Sequence, residues 1–168
     1  MKLESIDKSV YRSHLNRILW VSIVAFASMS LLISQVTIYL FTDREGTHFW
    51  LNVMGVVVSM IIIGSVFNRI KSHPYFYEVY YVWRLKQQIN YIIRKNKALE
   101  QAVEQDDVQA ITIMAFYYKA CEQLYTLDDN TITMSALNKK SNALQEKIDA
   151  LNQSIDISDY SVDMLKAY

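Results

Sequence analysis

A chain of 168 residues, 52% of them hydrophobic, with 17 basic and 17 acidic side chains and one cysteine, has the length of one modest domain. Cys121 can form no internal disulfide, and the glycines, Gly46, Gly55 and Gly64, leave none after residue 64 for a phosphate-cradling loop or a dinucleotide fingerprint. The charge layout excludes a simple soluble domain, because residues 18–41 and 49–67 hold no Asp, Glu, Lys or Arg over 24 and 19 positions.

In chain order, residues 1–17 are a basic segment carrying Lys2, Lys8, Arg12 and Arg17. The two uncharged runs follow. As helices they would be about 36 Å and about 28 Å long, against a hydrocarbon core of about 30 Å, so residues 18–41 and 49–67 are expected to be transmembrane helices 1 and 2. Residues 42–48, with Asp43, Arg44, Glu45 and Gly46, suffice for a reversal of direction and make the two helices antiparallel neighbours. Two other readings compete. Ala25, Phe26 and Ala27 after a basic start match a signal-cleavage pattern, but the apolar run continues for fourteen residues past Ala27. A buried core helix is suggested by Ser22, Ser28, Ser30, Ser34, Gln35 and Asn52, although an uncharged stretch of this length is far more often a span.

Lys2, Lys8, Arg12 and Arg17 precede the first span and Arg69, Lys71, Arg84 and Lys86 follow the second, while Arg44 stands alone in the loop. This bias predicts cytoplasmic termini and an extracytoplasmic loop. Trp20, Tyr39, Phe41, Phe49 and Trp50 lie near the expected water boundaries, where amphipathic rings are favoured. Counted from the loop, Ser30 and Ser34 match the depths of Gly55 and Ser59. Small residues at such spacing let helices approach closely in lipid, which predicts the seam of the hairpin, with self-association as the alternative. The spans hold no Asp, Glu, Lys, Arg or His, which argues against a transporter or channel.

Residues 68–157 are expected to form a cytoplasmic helical bundle, since they contain one proline, no glycine and apolar positions at helical spacing. A helix begins near Pro74 and runs to about Glu104, with Val82, Leu85, Ile89, Ile92, Asn96, Leu99 and Val103 as a heptad seam. A second starts at Asp106 or Asp107, either able to cap the first turn, and runs to about Leu127 with the broadest apolar face. After the turn at Asp128, Asp129 and Asn130, Thr131 or Thr133 caps a third helix whose seam is Met134, Leu137, Ser141, Leu144, Ile148, Leu151 and Ile155. The fold class is therefore all-α: a two-helix transmembrane hairpin followed by an antiparallel three-helix bundle, with residues 158–168 a tail that frays. Polar Asn96 and Ser141 in the seams can fix register or oligomer number, so a homodimer stands beside packing within one chain.

Residues 68–97 hold seven basic side chains and one acid, whereas residues 98–168 hold five basic and twelve acidic. Anionic lipid attracts juxtamembrane basic charge. The expected lipid-facing set is Arg69, Lys71, Tyr75, Tyr77, Trp83, Arg84, Lys86, Arg94, Lys95 and Lys97. Basic residues among aromatics also occur on nucleic-acid surfaces, but the adjacent span explains them more simply, and no nucleic-acid partner is expected.

Chemistry is sparse. The turn at Asp128 lacks the glycine of a calcium loop and would place Lys139 where the bidentate acid belongs. His14 and His73 fall on one side of the expected membrane and His48 on the other, so they cannot share a zinc ion within a monomer. Cys121 has no evident base partner and reads as a buried structural thiol.

Residues 68–74 (NRIKSHP), 78–87 (EVYYVWRLKQ) and 123–131 (QLYTLDDNT), together with residues 6–17 (IDKSVYRSHLNR), make the chain resemble a family of small bacterial inner-membrane proteins found mainly among gammaproteobacteria. The resemblance extends over most of the chain and implies inner-membrane placement; the family brings no activity, substrate or catalytic residues with it. The expectation is a membrane-anchored, noncatalytic protein-interaction or scaffold module, neither an enzyme nor a cofactor binder, in contact with the membrane, anionic lipid and a protein partner. The alternative is a lipid-sensing or membrane-organising element acting through the basic aromatic helix.

Overall fold

The computed structural model describes residues 1–151 and 154–168, and these are helical with no strand among them. Asn152 and Gln153, within the expected bundle, lie outside the described residues. The chain forms two compact units, one Ser9–Val79 and the other Met1–Lys8 with Tyr80–Tyr168.

The first unit holds most of α1 (Lys8–Phe41) and all of α2 (Phe49–Ile70), each long and apolar enough to cross a membrane. With 34 residues, α1 is about 51 Å long, and its first turns carry Arg12, His14 and Arg17 ahead of the uncharged run. The connection between the helices reverses through left-handed backbone at Arg44 (φ 63°) and Gly46 (φ 82°), geometry that glycine adopts without steric cost. Where the helices meet, the buried residues are small: Ser30 and Ser34 on α1, Gly55 and Ser59 on α2. Leu31, Leu32 and Ile61 remain 64 to 65% exposed. After α2, the His73 ring nitrogen Nδ1 accepts the Tyr75 N–H at 3.2 Å, and Pro74 opens a 3-10 turn, Pro74–Phe76. Proline costs nothing there, because the first N–H of a helix has no partner to lose. Tyr77 then begins α3 (Tyr77–Ile93).

The second unit is a helical bundle of the opposite character. Its centre is α5 (Val108–Asp128), which packs against α4 (Asn96–Glu104), α6 (Met134–Ala150) and a 3-10 turn at Ile157–Asp159. Ile111, Ile113 and Phe116 on α5 are fully buried, as are Leu85 and Ile92 on α3 and Leu99 on α4. Asp107 caps α5 by accepting the Gln109 and Ala110 N–H groups at 2.8 and 3.2 Å. At its other end Asp129, left-handed at φ 58°, returns its N–H to the Tyr125 carbonyl and stops the helix.

Three features differ from the sequence reading. The helix expected from Pro74 to Glu104 is interrupted at Arg94 and Lys95, where the Lys95 N–H bonds to the Ile92 carbonyl in a tight turn and the Lys95 carbonyl starts α4 by accepting from Leu99. Asn96 is therefore the first residue of α4 and half-buried, and the heptad seam is not continuous through it. The third helix ends at Ala150, with Leu151 as its cap and Ile155 beyond it. The expected fraying tail is instead folded into 3-10 turns at Ile157–Asp159 and Val162–Ala167, with Tyr160 and Leu165 buried.

Candidate functional site

In the Ser9–Val79 unit the expected packing residues converge. A methyl group added to Gly55 would run into the Ser34 hydroxyl and lie 2.9 Å from the Ser30 carbonyl oxygen, so the absence of a side chain is what permits the approach. The Ser59 hydroxyl donates to the Gly55 carbonyl at 2.7 Å, whereas the Ser30 hydroxyl is buried with no hydrogen-bond partner among the described residues.

Toward the other end of these helices, aromatic rings gather around the 3-10 turn. The Tyr75 ring lies 4.1 Å from that of His14, whose Nδ1 is 3.1 Å from a Glu78 carboxylate oxygen. Phe76 contacts Phe67 and Tyr75 edge to face at 6.2 and 5.9 Å. Tyr75 is thus partly buried rather than fully displayed, and its hydroxyl is shielded with no partner among the described residues. Arg69, Lys71 and Tyr77 are exposed, with the Lys71 ammonium donating to the Asn68 side chain at 2.8 Å.

In the second unit, Trp83 and Arg84 are exposed, and Trp83 stacks on Tyr80 at 5.6 Å. Lys86 is not a free lipid-facing cation, because Asp128 holds it in an ion pair at 2.9 Å. Arg94, Lys95 and Lys97 line one recess together with Tyr168 at the break after α3. Among the seam residues, Val82, Leu85, Ile89, Ile92, Leu99, Leu137, Leu144 and Ile148 are buried, while Asn96, Val103, Met134, Ser141, Leu151 and Ile155 are half-buried.

The chain termini supply contacts that helical periodicity gave no means of finding. The Glu4 N–H donates to the Tyr81 hydroxyl at 2.9 Å, that hydroxyl donates to the Gln123 side-chain oxygen at 3.0 Å, and the Gln123 amide returns to the Glu4 carbonyl at 2.5 Å. Lys8 forms an ion pair with Asp129. At the opposite terminus Tyr160 stacks on Phe116 at 3.9 Å and donates to Gln88 at 3.0 Å, while Tyr168 donates to the Asp107 carboxylate at 2.8 Å. Burial pushes the Tyr160 phenol up to about 12. The usable signal was composition: Ile155, Ile157, Tyr160, Val162, Met164, Leu165 and Tyr168 are too apolar for a solvated tail.

Cys121 is buried, and that burial pushes its thiol up to about 11, with the Tyr117 and Tyr125 hydroxyls partly offsetting it by hydrogen bonding. It is protonated at neutral pH and a poor nucleophile there. Among the described residues no three His, Cys, Asp or Glu side chains are grouped to hold a metal ion.

No curated protein and no solved structure matches the chain. A protein-family model does match, over residues 1–165, and the chain therefore belongs to the family described as "Protein of unknown function (DUF3087)".

Proposed function

We propose that the chain is a membrane-anchored, noncatalytic interaction module: residues 18–41 and 49–67 cross a bacterial inner membrane as a hairpin, and the helical bundle stands on the cytoplasmic face to hold a protein partner. The observation that carries the membrane reading is inverted burial, with serine and glycine inside the α1 and α2 pair and leucine and isoleucine outside. Water would penalise that arrangement and hydrocarbon would not. Topology has separate support. Residues 1–8 and 80–168 share one compact unit, which supports termini on one side of the membrane and an even number of crossings between them. The Lys and Arg bias makes that side the cytoplasm.

Glu45→Cys in the loop should react with a membrane-impermeant maleimide added to intact cells, and Ser158→Cys only after lysis. The reverse pattern, or labelling of both in intact cells, would end the topological reading. The partner assignment is tested by in-cell crosslinking followed by purification in mild detergent, and recovery of the chain alone under several growth conditions rejects it.

A second reading, lipid sensing by the bundle, is favoured by the Arg94, Lys95 and Lys97 recess. In proteoliposomes, labelling of Lys97→Cys should then slow when anionic lipid is included and recover at high salt. A rate indifferent to lipid charge rejects that reading.

A further inference from the structure

Below the small-residue contact the α1 and α2 pair opens into a groove of about 400 Å³, lined by α1 from Arg17 to Met29, by α2 from Ile63 to Ile70, and by Tyr75 and Phe76 of the 3-10 turn. Its walls are almost wholly apolar, and Ser22 and Ala25 leave room where larger side chains would close it. The twelve residues separating Arg17 from Met29 span about 18 Å along a helix. One leaflet of a bilayer is about 15 Å of hydrocarbon. The groove is therefore as deep as one acyl chain in one leaflet, and its volume lies within the range of small-molecule sites.

One charged group marks one end of this apolar slot. Arg17 sits at the charged start of α1, where the helix leaves the uncharged run, and has no ion pair among the described residues. His14, one turn before it, has Glu78 as its partner. A cation at one end of an apolar groove matches a phosphodiester followed by a hydrocarbon chain, and a planar guanidinium is suited to phosphate.

We propose that this groove is a binding site for one acyl chain of an anionic phospholipid, with the Arg17 guanidinium on its phosphate. The proposal rests on the membrane reading above and deepens it from general solvation by lipid to one retained molecule. Anionic lipid is favoured over zwitterionic because a choline or ethanolamine cation would return positive charge to the Arg17 end.

The test uses the full-length chain in micelles, exchanged into defined mixtures of phosphatidylglycerol and phosphatidylcholine, with retained lipid counted by native mass spectrometry. One phosphatidylglycerol per chain is expected. Arg17→Gln should lower its retention about tenfold, the scale of one lost charge-assisted hydrogen bond, and bring it level with phosphatidylcholine. Ala25→Phe and, independently, Ser22→Leu should fill the slot and reduce retention of either lipid. The helical circular-dichroism signal and thermal midpoint in micelles report that each variant is folded. Equal retention of both lipids by the wild type, unchanged retention in Arg17→Gln, or unchanged retention in both groove-filling variants overturns the proposal. Alkaline carbonate washing of native membranes separates the two failures. Release of the wild type would defeat the membrane reading itself, whereas a chain that stays in the pellet yet retains no lipid would defeat only the groove.

Discussion

In the Ser9–Val79 unit the side chains withdrawn from the surface are Ser30, Ser34 and Ser59 with Tyr11 and the bare backbone of Gly55, whereas in the bundle they are Leu85, Ile92, Leu99, Ile111, Ile113 and Phe116. One polypeptide thus packs by two rules. The bundle follows the hydrophobic effect, in which burying a large apolar side chain contributes about 1.5–3 kcal/mol. Under the proposed membrane reading, the helix pair gains nothing by hiding leucine from a solvent as apolar as leucine, so close backbone approach and hydrogen bonding replace that drive. The same amino acid should therefore have different energetic weight in the two places.

The largest expected effect tests that difference directly. Leu85→Ala or Leu99→Ala, at fully buried positions, should destabilise the bundle by about 2–5 kcal/mol, read as a lower urea midpoint in micelles with Cys121 labelling as the probe of opening. Leu31→Ala and Leu32→Ala, both 65% exposed, should stay within about 0.5 kcal/mol, read from the thermal midpoint of the helical signal in micelles because Cys121 belongs to the other unit. If the α1 substitutions cost as much as those in the bundle, α1 packs against protein and the comparison fails.

Next in size is the close contact of the helix pair. Gly55→Ala forces a methyl group against Ser34 and the Ser30 carbonyl, and overpacking of this kind costs about 1–3 kcal/mol. Gly64, with nothing within 4 Å of an added methyl, is the matched control. Gly64→Ala should be neutral or stabilising by up to about 1 kcal/mol, because alanine loses less backbone freedom in a helix. Equal losses at both positions, measured by thermal melting in micelles, would remove Gly55 from its packing role.

The two units also differed in how much their sequences disclosed. The uncharged runs were visible because length and absence of charge are local properties, and Gly55 could be paired with Ser34 by counting from a short loop. Asp107 was readable as a cap because an acid directly ahead of an apolar run is a local signal too. The interruption at Arg94 and Lys95 left no such mark, since both residues are good helix formers and neither proline nor glycine announces the turn. The recess joining Arg94, Lys95, Lys97 and Tyr168 was hidden for that reason. Docking of both termini was hidden for another, because contacts such as Tyr81 with Glu4 or Tyr160 with Phe116 join residues far apart in sequence and follow no helical period. The groove beside Arg17 depends on where two helices diverge, which spacing along either one does not encode.

The cap on α5 offers a smaller effect and a pH signature. Burial alone would raise the Asp107 carboxyl, but the Tyr168 hydroxyl and the Ala110 and Gln109 N–H groups together hold it below its ordinary 3.8. The unfolded chain then binds more protons in the window beneath 3.8. The stabilisation from Asp107 is present above that value and is lost as pH falls through the lower folded one. Asp107→Ala should cost about 1 kcal/mol at neutral pH and flatten the acid limb of the stability curve. Tyr168→Phe should remove part of the depression while leaving the two backbone bonds. An acid limb identical in wild type and Asp107→Ala would mean that another carboxylate controls it.

The smallest effect gives the finest comparison, because it lies between two serines in one helix pair. Ser59 and Ser30 are both buried, yet the Ser59 hydroxyl reaches the Gly55 carbonyl at 2.7 Å and the Ser30 hydroxyl reaches nothing among the described residues. An unsatisfied buried donor carries its full desolvation penalty, while a bonded one returns most of it. Ser30→Ala removes the penalty and keeps a side chain small enough for the contact. It should raise stability by up to about 1 kcal/mol, whereas Ser59→Ala exchanges a satisfied bond for a methyl group and should lower stability by about 0.5–1 kcal/mol. Thermal midpoints of the two variants should therefore fall on opposite sides of the wild type. A loss at Ser30 equal to that at Ser59 would mean that the Ser30 hydroxyl is hydrogen-bonded in the folded chain and that its burial carries no unmatched penalty.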